Sequence, residues 1–482
     1  MKKIQKKDND KVIFILSLVF LLLCFLVSLK SADMFMWDEA EYALTGYNIA
    51  YGLPYGNALR PPMLGTLTAP LIFFTNGSTD FPIRLLMVLI SWSTLGFVGW
   101  MVLKMSNATT ALFTGVFLGF MPWYWANSSH FLAEIPFLLF STLSLLFFYG
   151  ALYKNEKYFH GVWIFCGFAF LTRYTALLLG PIFILLLILL LFQDKEKLKS
   201  LFRKKVFWLS PFWLLLIMSP WLIHHEMVYG DFLIGFKIAK NQLPSYVPQL
   251  SMPWYYYGSV LPSMIGIPLG ILSLIGVIDS IYHKKRLGVF SLVIVLFFFM
   301  WFSQYRYKEP RLISASLPFI AILSALGYQF ITTKFKFLSD RMATLVVIGI
   351  ISFISYAYIY NGVLNNKTIG YPNLLEMASI LSETTDKEDL IMAANTPQLK
   401  WYAQRQTTSF PGNFDGFKER LNDTDWVVIV NYEKGQPEYI LNEIIPLIQA
   451  SLEQFPSLRT VISEQGYFSL MVNAYELATI IK

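Results

Sequence analysis

Three carboxylates, Asp38, Glu39 and Glu41, lie within four positions shortly after the first long apolar run of the sequence. A carboxylate beside a membrane surface can be partly desolvated, which makes it more basic and suits it to general-base chemistry. The alternative is a solvated helix start, where the helix dipole favours acidic side chains. The spacing alone leaves both interpretations open.

A further acidic residue, Glu134, lies near the outer end of an otherwise apolar helix, four positions after His130. An ionisable residue in a membrane-spanning segment is a functional candidate by default. The alternative for Glu134 is again a helix-start carboxylate that interacts with the N-terminal dipole. We include His130 as a candidate for contact with a substrate.

Three arginines could bind an anion such as a phosphate. Arg173 interrupts an apolar run, and Arg306 and Arg311 lie in the last short outer loop. The planar guanidinium matches the geometry of a phosphate and can donate two parallel hydrogen bonds to it. The alternatives are an arginine that extends to the membrane interface at position 173 and purely topological charge at Arg306 and Lys308.

A metal site is the next possibility, because His224, His225 and Glu226 are consecutive. Adjacent side chains on a helix point about 100° apart, so two neighbouring histidines bind one ion awkwardly. No H-E-x-x-H spacing is present. We expect no required cofactor and leave a divalent metal open. The two cysteines, Cys24 and Cys166, lie in apolar runs and support neither a disulfide framework nor a thiolate metal site.

The composition indicates what must position these residues. Of 482 residues, 55% are hydrophobic and 14% are charged, against about a quarter charged in an ordinary soluble domain. This excludes a disordered or disulfide-rich chain and argues against an ordinary soluble enzyme. The net charge of the chain is +7. The apolar first 360 residues contain 29 basic and 16 acidic residues and the remainder contains 9 and 15, so the positive charge belongs to the apolar part. We therefore predict membrane lipids, and no nucleic acid, as partners.

Apolar runs predict an α-helical polytopic membrane protein, since a helix needs about 20 apolar residues to cross a membrane. We predict about eleven spans, at 12–29, 83–103, 108–126, 131–152, 161–172, 174–192, 206–224, 259–281, 287–305, 312–331 and 341–360. Alternating these spans with the N-terminus inside places 20 basic residues inside and 9 outside, which favours N-in, C-out. A cleaved signal peptide is the alternative for the first run. The two long outer loops, about 31–82 and 225–258, predict a function at the extracytoplasmic face of the cell membrane.

The sequence divides into a membrane domain over 1–360 and a soluble extracytoplasmic α/β domain over 361–482. Strand-like runs in the second domain lie at Leu390–Ala394, Trp426–Val430, Arg459–Ser463 and Tyr467–Val472, and helical periodicity covers 373–383, 413–421 and 437–453. No catalytic constellation is visible there, so we expect a cap or an acceptor-docking domain. In the membrane domain, Ala43–Ala50 resembles a short amphipathic helix.

Four short segments occur in an order that resembles the first luminal or periplasmic loop of the GT-C membrane glycosyltransferases. They are Asp38–Ala43 (DEAEYA), Tyr51–Pro54 (YGLP), Pro61–Met63 (PPM) and Phe81–Leu86 (FPIRLL). The most similar groups are the protein O-mannosyltransferases and the aminoarabinose transferases that act on lipid A, and the resemblance covers about residues 10–330. It implies a sugar donor linked to a polyprenyl or dolichyl phosphate, and inverting transfer to an acceptor on the outer face.

The resemblance also implies roles for individual residues. Asp38 matches the acid that acts as general base, Glu39 matches the second acid of the motif, and Glu134 is similar to an acid near the acceptor. Arg173 and Arg311 match cations that approach the carrier phosphate, although Leu312 stands where an aromatic residue is usual. The remaining candidates are Arg306 for the phosphate and Tyr42, Arg60, His130 and Tyr256 as residues near the substrate. An interfacial aromatic belt is the alternative for Tyr256.

A transporter or flippase of a polyprenyl-linked or anionic substrate is the alternative from another class, with Glu134 and Arg173 as intramembrane charges. The sequence contains no second copy of the Asp38 segment or of the break at Arg173, and transporters commonly contain such repeats. A non-catalytic assembly subunit is a third possibility. The sugar, and whether the acceptor is a protein, a lipid or a glycan, depend on pocket shape and are not predicted.

Overall fold

A computed structural model describes residues 18–19, 21–29, 34–55, 57–76, 80–246, 251–334, 373–433, 436–463 and 466–481. The chain divides into two compact units. The first comprises Met1–Ala32 and Pro54–Asn365, and the second comprises Asp33–Leu53 and Asn366–Lys482. The acidic segment therefore groups with the C-terminal residues, whereas the sequence predicts it within the membrane domain.

Helical residues 21–28 of the first unit come before helix α1 (Trp37–Ala50), which belongs to the second unit and carries the acidic segment in its first turn. It begins six residues before the short helix predicted at Ala43–Ala50, so Asp38 and Glu39 are helical residues. Acidic side chains in a first turn interact favourably with the helix dipole. Its buried face includes Glu39, Tyr42 and Ala43.

Helices dominate the first unit, as the composition predicts. They are α2 (Met63–Phe74), α3 (Asp80–Met105), α4 (Ala108–Gly119), α5 (Pro122–Ala126), α6 (Glu134–Tyr153), α7 (Tyr158–Thr172), α8 (Leu179–Gln193), α9 (Lys195–Phe202), α10 (Lys205–Leu209), α11 (Phe212–Tyr229), α12 (Ile234–Tyr246), α13 (Tyr256–Ile265), α14 (Ile267–Tyr282), α15 (Arg286–Ser303) and α16 (Leu317–Lys334). Two 3₁₀ helices, Tyr174–Leu178 and Pro310–Ser316, precede α8 and α16.

Within the described residues, six helical segments are long and apolar enough to cross a membrane. They are Asp80–Met105, Glu134–Tyr153, Tyr174–Gln193, Lys205–Tyr229, Arg286–Ser303 and Pro310–Lys334. Helices α13 and α14 pass the same test together, which makes a seventh. The predicted span 341–360 and residues 12–17 and 20 of the first span lie outside the described residues, so the total of eleven stays a prediction.

Three helix breaks concern the predicted spans, two of them within a span and one between two spans. The span 108–126 is divided between α4 and α5, because the chain turns at Met121 before Pro122, which cannot continue a helical hydrogen-bond ladder. The span 259–281 is divided between α13 and α14, which are bent by 111°. Gly266 at that bend has φ +82°, a left-handed conformation that glycine adopts readily. The third interruption, between α7 and α8, is at Arg173.

Helices α14 and α16 pack with their backbones in close approach at two glycines. A Cβ atom built on Gly276 would lie 1.9 Å from the carbonyl oxygen of Leu323, and one on Gly327 would lie 2.0 Å from that of Leu272. Glycine at such positions lets two helices approach more closely than any other residue permits. This contact fixes α16, which continues directly from the 3₁₀ helix that contains Arg311.

The second unit also contains a mixed five-stranded sheet. Its elements are α17 (Leu374–Thr384), β1 (Leu390–Ala393), α18 (Thr396–Tyr402), β2 (Gln406–Thr408), α19 (Phe414–Leu421), β3 (Trp426–Val430), α20 (Ile445–Ala450), β4 (Arg459–Ile462), β5 (Phe468–Asn473) and α21 (Ala474–Ile481). The strand order is β2-β1-β3-β5-β4, with β1 parallel to β2 and β3, and β5 antiparallel to β3 and β4. This is a small α/β layer, with one more strand than the sequence predicts.

Both faces of this sheet are buried. Successive residues of a strand point to opposite faces, so Val427 and Ile429 pack in one core cluster and Val428 and Val430 in another. The second cluster includes Leu399 of α18, which is fully buried. Helix α18 is therefore fixed to the sheet by its apolar face.

Candidate active site

The centre of the candidate site in the first unit is Glu134, the first residue of α6. Its exposed fraction is 2%, which is rare for a carboxylate without a partner. The residue before the helix, Ala133, provides no side-chain cap, so a carboxylate in this turn interacts favourably with the dipole. The helix-start alternative therefore fits the position of Glu134, whereas its functional role stays a prediction.

Two arginines that are distant in sequence converge on this carboxylate. Arg173 Nη1 donates a hydrogen bond to Glu134 Oε1 at 2.6 Å, and Arg311 Nη1 lies 3.6 Å from the same oxygen. The other oxygen, Glu134 Oε2, is buried and has no hydrogen-bond partner among the described residues. A buried acceptor without a hydrogen-bond partner costs about 1–3 kcal/mol of stability. A substrate hydroxyl that donated to Glu134 Oε2 would therefore be bound favourably.

The break between α7 and α8 positions Arg173. Helix α7 ends at Thr172, and Arg173 has an extended backbone with φ −151° and ψ 135°. The 3₁₀ helix Tyr174–Leu178 then begins the next helical segment. The Arg173 side chain keeps 20% of its surface exposed. The break that the sequence predicts at this arginine is present in the structure.

Arg311 lies in the first turn of the 3₁₀ helix Pro310–Ser316, two residues after Glu309. Its Nε atom donates to Glu309 Oε2, so the guanidinium lies between two carboxylates. Tyr307 is next to this pair, and burial raises the pKa of its hydroxyl to about 12, so it is neutral at physiological pH. Glu309 was not among the predicted site residues, although its spacing from Arg311 across a proline is a signal that could have identified it.

The two other cations of this segment differ in their surroundings. Lys308 is 3% exposed, and its Nζ donates to the carbonyl oxygens of Met252, at 2.9 Å, and of Tyr305. Burial lowers the pKa of this ammonium group. Arg306 is exposed, and its backbone carbonyl accepts a hydrogen bond from Met252. The structure thus joins Lys308 to the loop backbone and does not bring Arg306 to Glu134.

The acidic segment is described within the second unit. Asp38 is half-buried, whereas Glu39 is fully buried. Glu39 Oε2 accepts a hydrogen bond from the backbone N–H of Met36 at 2.8 Å. This is the acidic half of a capping box, since Met36 has no side-chain oxygen to complete it. Glu39 thus contributes to the start of α1, and the catalytic roles expected of Asp38 and Glu39 stay predictions.

The remaining candidates lie in separate elements. Tyr42 is 4% exposed on the buried face of α1. Arg60 is half-buried, and its carbonyl oxygen accepts from the hydroxyl of Tyr55 at 2.7 Å. His130 lies in the turn before α6, half-buried, and Tyr256 is the half-buried first residue of α13.

The consecutive histidines pack in an aromatic cluster on α11. The ring of His224 stacks on Trp221 with an interplanar angle of 13°, and His225 Nδ1 lies 3.3 Å from the carbonyl oxygen of Phe232. Nowhere in the described ranges do three or more His, Cys, Asp or Glu side chains form a group that could hold a metal ion. A catalytic zinc site needs three protein ligands; the divalent metal that the sequence leaves open stays untested.

The fold is similar to that of solved structures of ArnT and of an archaeal oligosaccharyltransferase. The chain is similar to ArnT from Cupriavidus metallidurans in the apo state, with a TM-score of 0.70 and 14% identity over 97% of this chain and 98% of that one. The structure of ArnT bound to undecaprenyl phosphate matches with a TM-score of 0.71 and 14% identity, over 95% and 97% of the chains. The described spans and this fold support a multi-pass membrane protein.

Other similarities are more partial. The archaeal oligosaccharyltransferase AglB from Archaeoglobus fulgidus, in complex with an inhibitory peptide and a dolichol-phosphate, matches with a TM-score of 0.56 and 12% identity over 94% of this chain and 74% of AglB. The profile of the dolichyl-phosphate-mannose-protein mannosyltransferases matches residues 60–224. An uncharacterized protein of Aquifex aeolicus (strain VF5) is 27% identical over 327 residues, which are 65% of this chain and 63% of that relative. The match therefore covers less than two thirds of that relative.

Proposed function

We propose that this protein is a glycosyltransferase that takes a sugar from a polyprenyl- or dolichyl-phosphate donor. The acceptor is a hydroxyl group of a protein, a lipid or a glycan. The observation that carries the proposal is the pair of arginines, Arg173 and Arg311, that share the buried carboxylate of Glu134. Their guanidinium groups can stabilise the charge of a lipid phosphate as it leaves.

Transfer proceeds by one displacement with inversion at the anomeric carbon. The acceptor oxygen forms a bond to this carbon while the bond between the carbon and the phosphate oxygen breaks. The acceptor proton passes to the carboxylate of Asp38, and the electron pair of the broken bond leaves with the polyprenyl phosphate. A phosphate is a good leaving group, so a positioned base contributes most to the rate, typically 10²- to 10⁴-fold.

The remaining residues orient the reactants. Glu134 Oε2, which has no partner among the described residues, accepts a hydrogen bond from a sugar or acceptor hydroxyl. Tyr256 stacks on the sugar or lines the path of the lipid. Arg306 steers the anionic donor by its charge without contacting it at the reaction centre.

We place the reaction at the extracytoplasmic face of the cell membrane, with the N-terminus inside and the C-terminus outside. The basic run Lys195–Lys205 and the segment Lys284–Arg286 support this orientation, because basic loops remain on the cytoplasmic side. An odd number of spans, eleven by our prediction, follows from it. No cofactor is required in this proposal.

The test is transfer by purified protein from a panel of radiolabelled polyprenyl-phosphate sugars to an acceptor extract of the host membrane. We expect one donor to label an acceptor, which also identifies the sugar. Binding of a donor without transfer would favour an assembly subunit that needs a partner. Movement of the labelled lipid across a vesicle membrane, without transfer, would overturn the proposal in favour of a flippase.

A further inference from the structure

The start of helix α1 is held by helix α18 of the C-terminal sequence, within the second unit. The backbone N–H of Phe35 donates a hydrogen bond to the hydroxyl of Tyr402 at 2.5 Å. The Phe35 side chain is fully buried, and its ring lies 5.8 Å from that of Trp401 and 6.5 Å from that of Tyr402. The residue immediately before the cap of α1 is thus fixed by both a hydrogen bond and ring packing.

The next residue is fixed from within α1. The N–H of Met36 donates to Glu39 Oε2 at 2.8 Å, and the carbonyl oxygen of Met36 accepts the first helical hydrogen bond, from Ala40 at 2.9 Å. Two successive backbone N–H groups are therefore held by two side chains, one from α1 itself and one from α18. Asp38 lies only two residues after Met36, so these bonds fix the backbone position from which the Asp38 side chain extends.

Helix α18 is a firm support for this contact. Leu399 is fully buried in the core cluster beneath the sheet, together with Ala403. The backbone of Ala403 donates to the carbonyl oxygen of Leu399 at 2.9 Å, which closes the last turn that carries Tyr402. A hydroxyl group on such a turn has little freedom to move relative to the sheet.

We infer that Tyr402 is a positioning residue, through which the C-terminal domain orients the helix that carries the catalytic base. The inference rests on the proposed function for its catalytic part and on the structure alone for the contact. Displacing a catalytic group by about 1 Å can cost 10²-fold in rate. The domain for which the sequence showed no chemistry thereby contributes to the reaction without touching the substrate.

The experiment compares Tyr402→Phe with Tyr439→Phe in the full-length protein. Both variants lose one tyrosine hydroxyl in the same domain, since the Tyr439 hydroxyl donates to the carbonyl oxygen of Pro411 at 2.8 Å, in the other core cluster. Hydrogen exchange of peptides spanning 34–44 reports the contact. We expect exchange about tenfold faster in Tyr402→Phe, as a buried amide loses its acceptor, and unchanged exchange in Tyr439→Phe. Unchanged exchange in both variants would refute the hydrogen bond between Phe35 and Tyr402, whatever the result of the transfer assay.

Transfer kinetics report the catalytic part and are expressed per donor-binding site, which removes any effect of a smaller folded fraction. We expect kcat to fall about tenfold in Tyr402→Phe, with the donor KM within twofold of wild type. Faster exchange with wild-type kcat would refute the positioning role. If wild type itself transfers no sugar, the proposed function fails, and the exchange data still decide the contact. Should Tyr402→Phe not fold, Tyr402→Leu, which also removes the hydroxyl acceptor, replaces it with the same criteria.

Discussion

Glu134 illustrates how one buried side chain can organise a site at the residue scale. Removing one partner of a buried ion pair leaves an uncompensated charge and commonly costs about 3–5 kcal/mol. Here two arginines share one carboxylate oxygen, at 2.6 Å and 3.6 Å. Arg311 makes the longer of the two contacts and keeps 32% of its side chain exposed, so under the proposed function it is the arginine that we expect to contact the donor phosphate.

We predict that Arg311→Lys raises the donor KM about tenfold, because lysine cannot make the bidentate contact of a guanidinium and a charge-assisted hydrogen bond contributes about 1.5–3 kcal/mol. Arg306→Lys is the matched control, since Arg306 is exposed and away from Glu134. Its KM should stay within twofold of wild type. Steady-state transfer with varied donor provides both values. Equal effects of the two substitutions would contradict the assignment of the phosphate contact to Arg311.

The sequence identifies the individual charged residues of this cluster better than their pairing. Arg173 and Arg311 each interrupt or border an apolar run, which makes them visible. Their convergence on Glu134 depends on how three helices pack, and residues 39 positions apart leave no local pattern. The capping role of Glu39 could not be predicted either, because it depends on the residue at which α1 begins.

At the scale of elements, the interruptions of the membrane helices position the chemistry. Arg173 lies in the break after α7, and Arg311 lies in the 3₁₀ turn before α16. Such breaks expose backbone groups that are tolerated only inside protein or beside water. The contact of α14 with α16 through Gly276 and Gly327 then fixes the helix that follows Arg311.

We predict that Gly276→Ala destabilises the protein by about 1–3 kcal/mol, the usual range for overpacking. The new methyl group would lie 1.9 Å from the carbonyl oxygen of Leu323, which is backbone and cannot rotate away. Gly270→Ala in the same helix is the control, because its nearest neighbour, Ile265, would be 3.6 Å away. Thermal unfolding in detergent should show a lower Tm for Gly276→Ala alone. Similar Tm values for both variants would refute the close packing.

Elements were predictable where their hydrophobic pattern is long. The apolar runs at 83–103, 131–152 and 287–305 correspond to α3, α6 and α15. Strand β2 escaped prediction because it has three polar residues, Gln406–Thr408, at the edge of the sheet. The bend between α13 and α14 also escaped, since hydropathy does not report direction, although Gly266 and Pro268 in one apolar run were a signal.

At the scale of the whole molecule, the division of the chain differs from a simple boundary after the membrane helices. The segment Asp33–Leu53 groups with Asn366–Lys482, so residues from both ends of the sequence build the second unit. A boundary based on composition cannot reveal this, because the segment is preceded and followed by apolar helices. The grouping gives the C-terminal domain a direct connection to the helix of Asp38.

We predict that the C-terminal domain and the basic segment Lys195–Lys205, which contains α9, lie on opposite sides of the membrane. Single cysteines at exposed positions test this, with Lys387→Cys in the domain and Ser200→Cys in α9, in a background that lacks Cys24 and Cys166. A membrane-impermeant maleimide should label Lys387→Cys in intact cells and Ser200→Cys only after permeabilisation. Labelling of Ser200→Cys in intact cells would contradict the N-in, C-out orientation.

The role of Asp38 as general base is the central claim, and side-by-side transfer by wild type, Asp38→Asn and Glu41→Gln tests it most directly. Glu41→Gln is the control because it removes the third carboxylate of the same helix, to which we assign no role. We predict that Asp38→Asn binds the donor normally and loses 10²- to 10⁴-fold in kcat, the usual contribution of a general base, while Glu41→Gln stays near wild type. Normal turnover by Asp38→Asn would contradict the account.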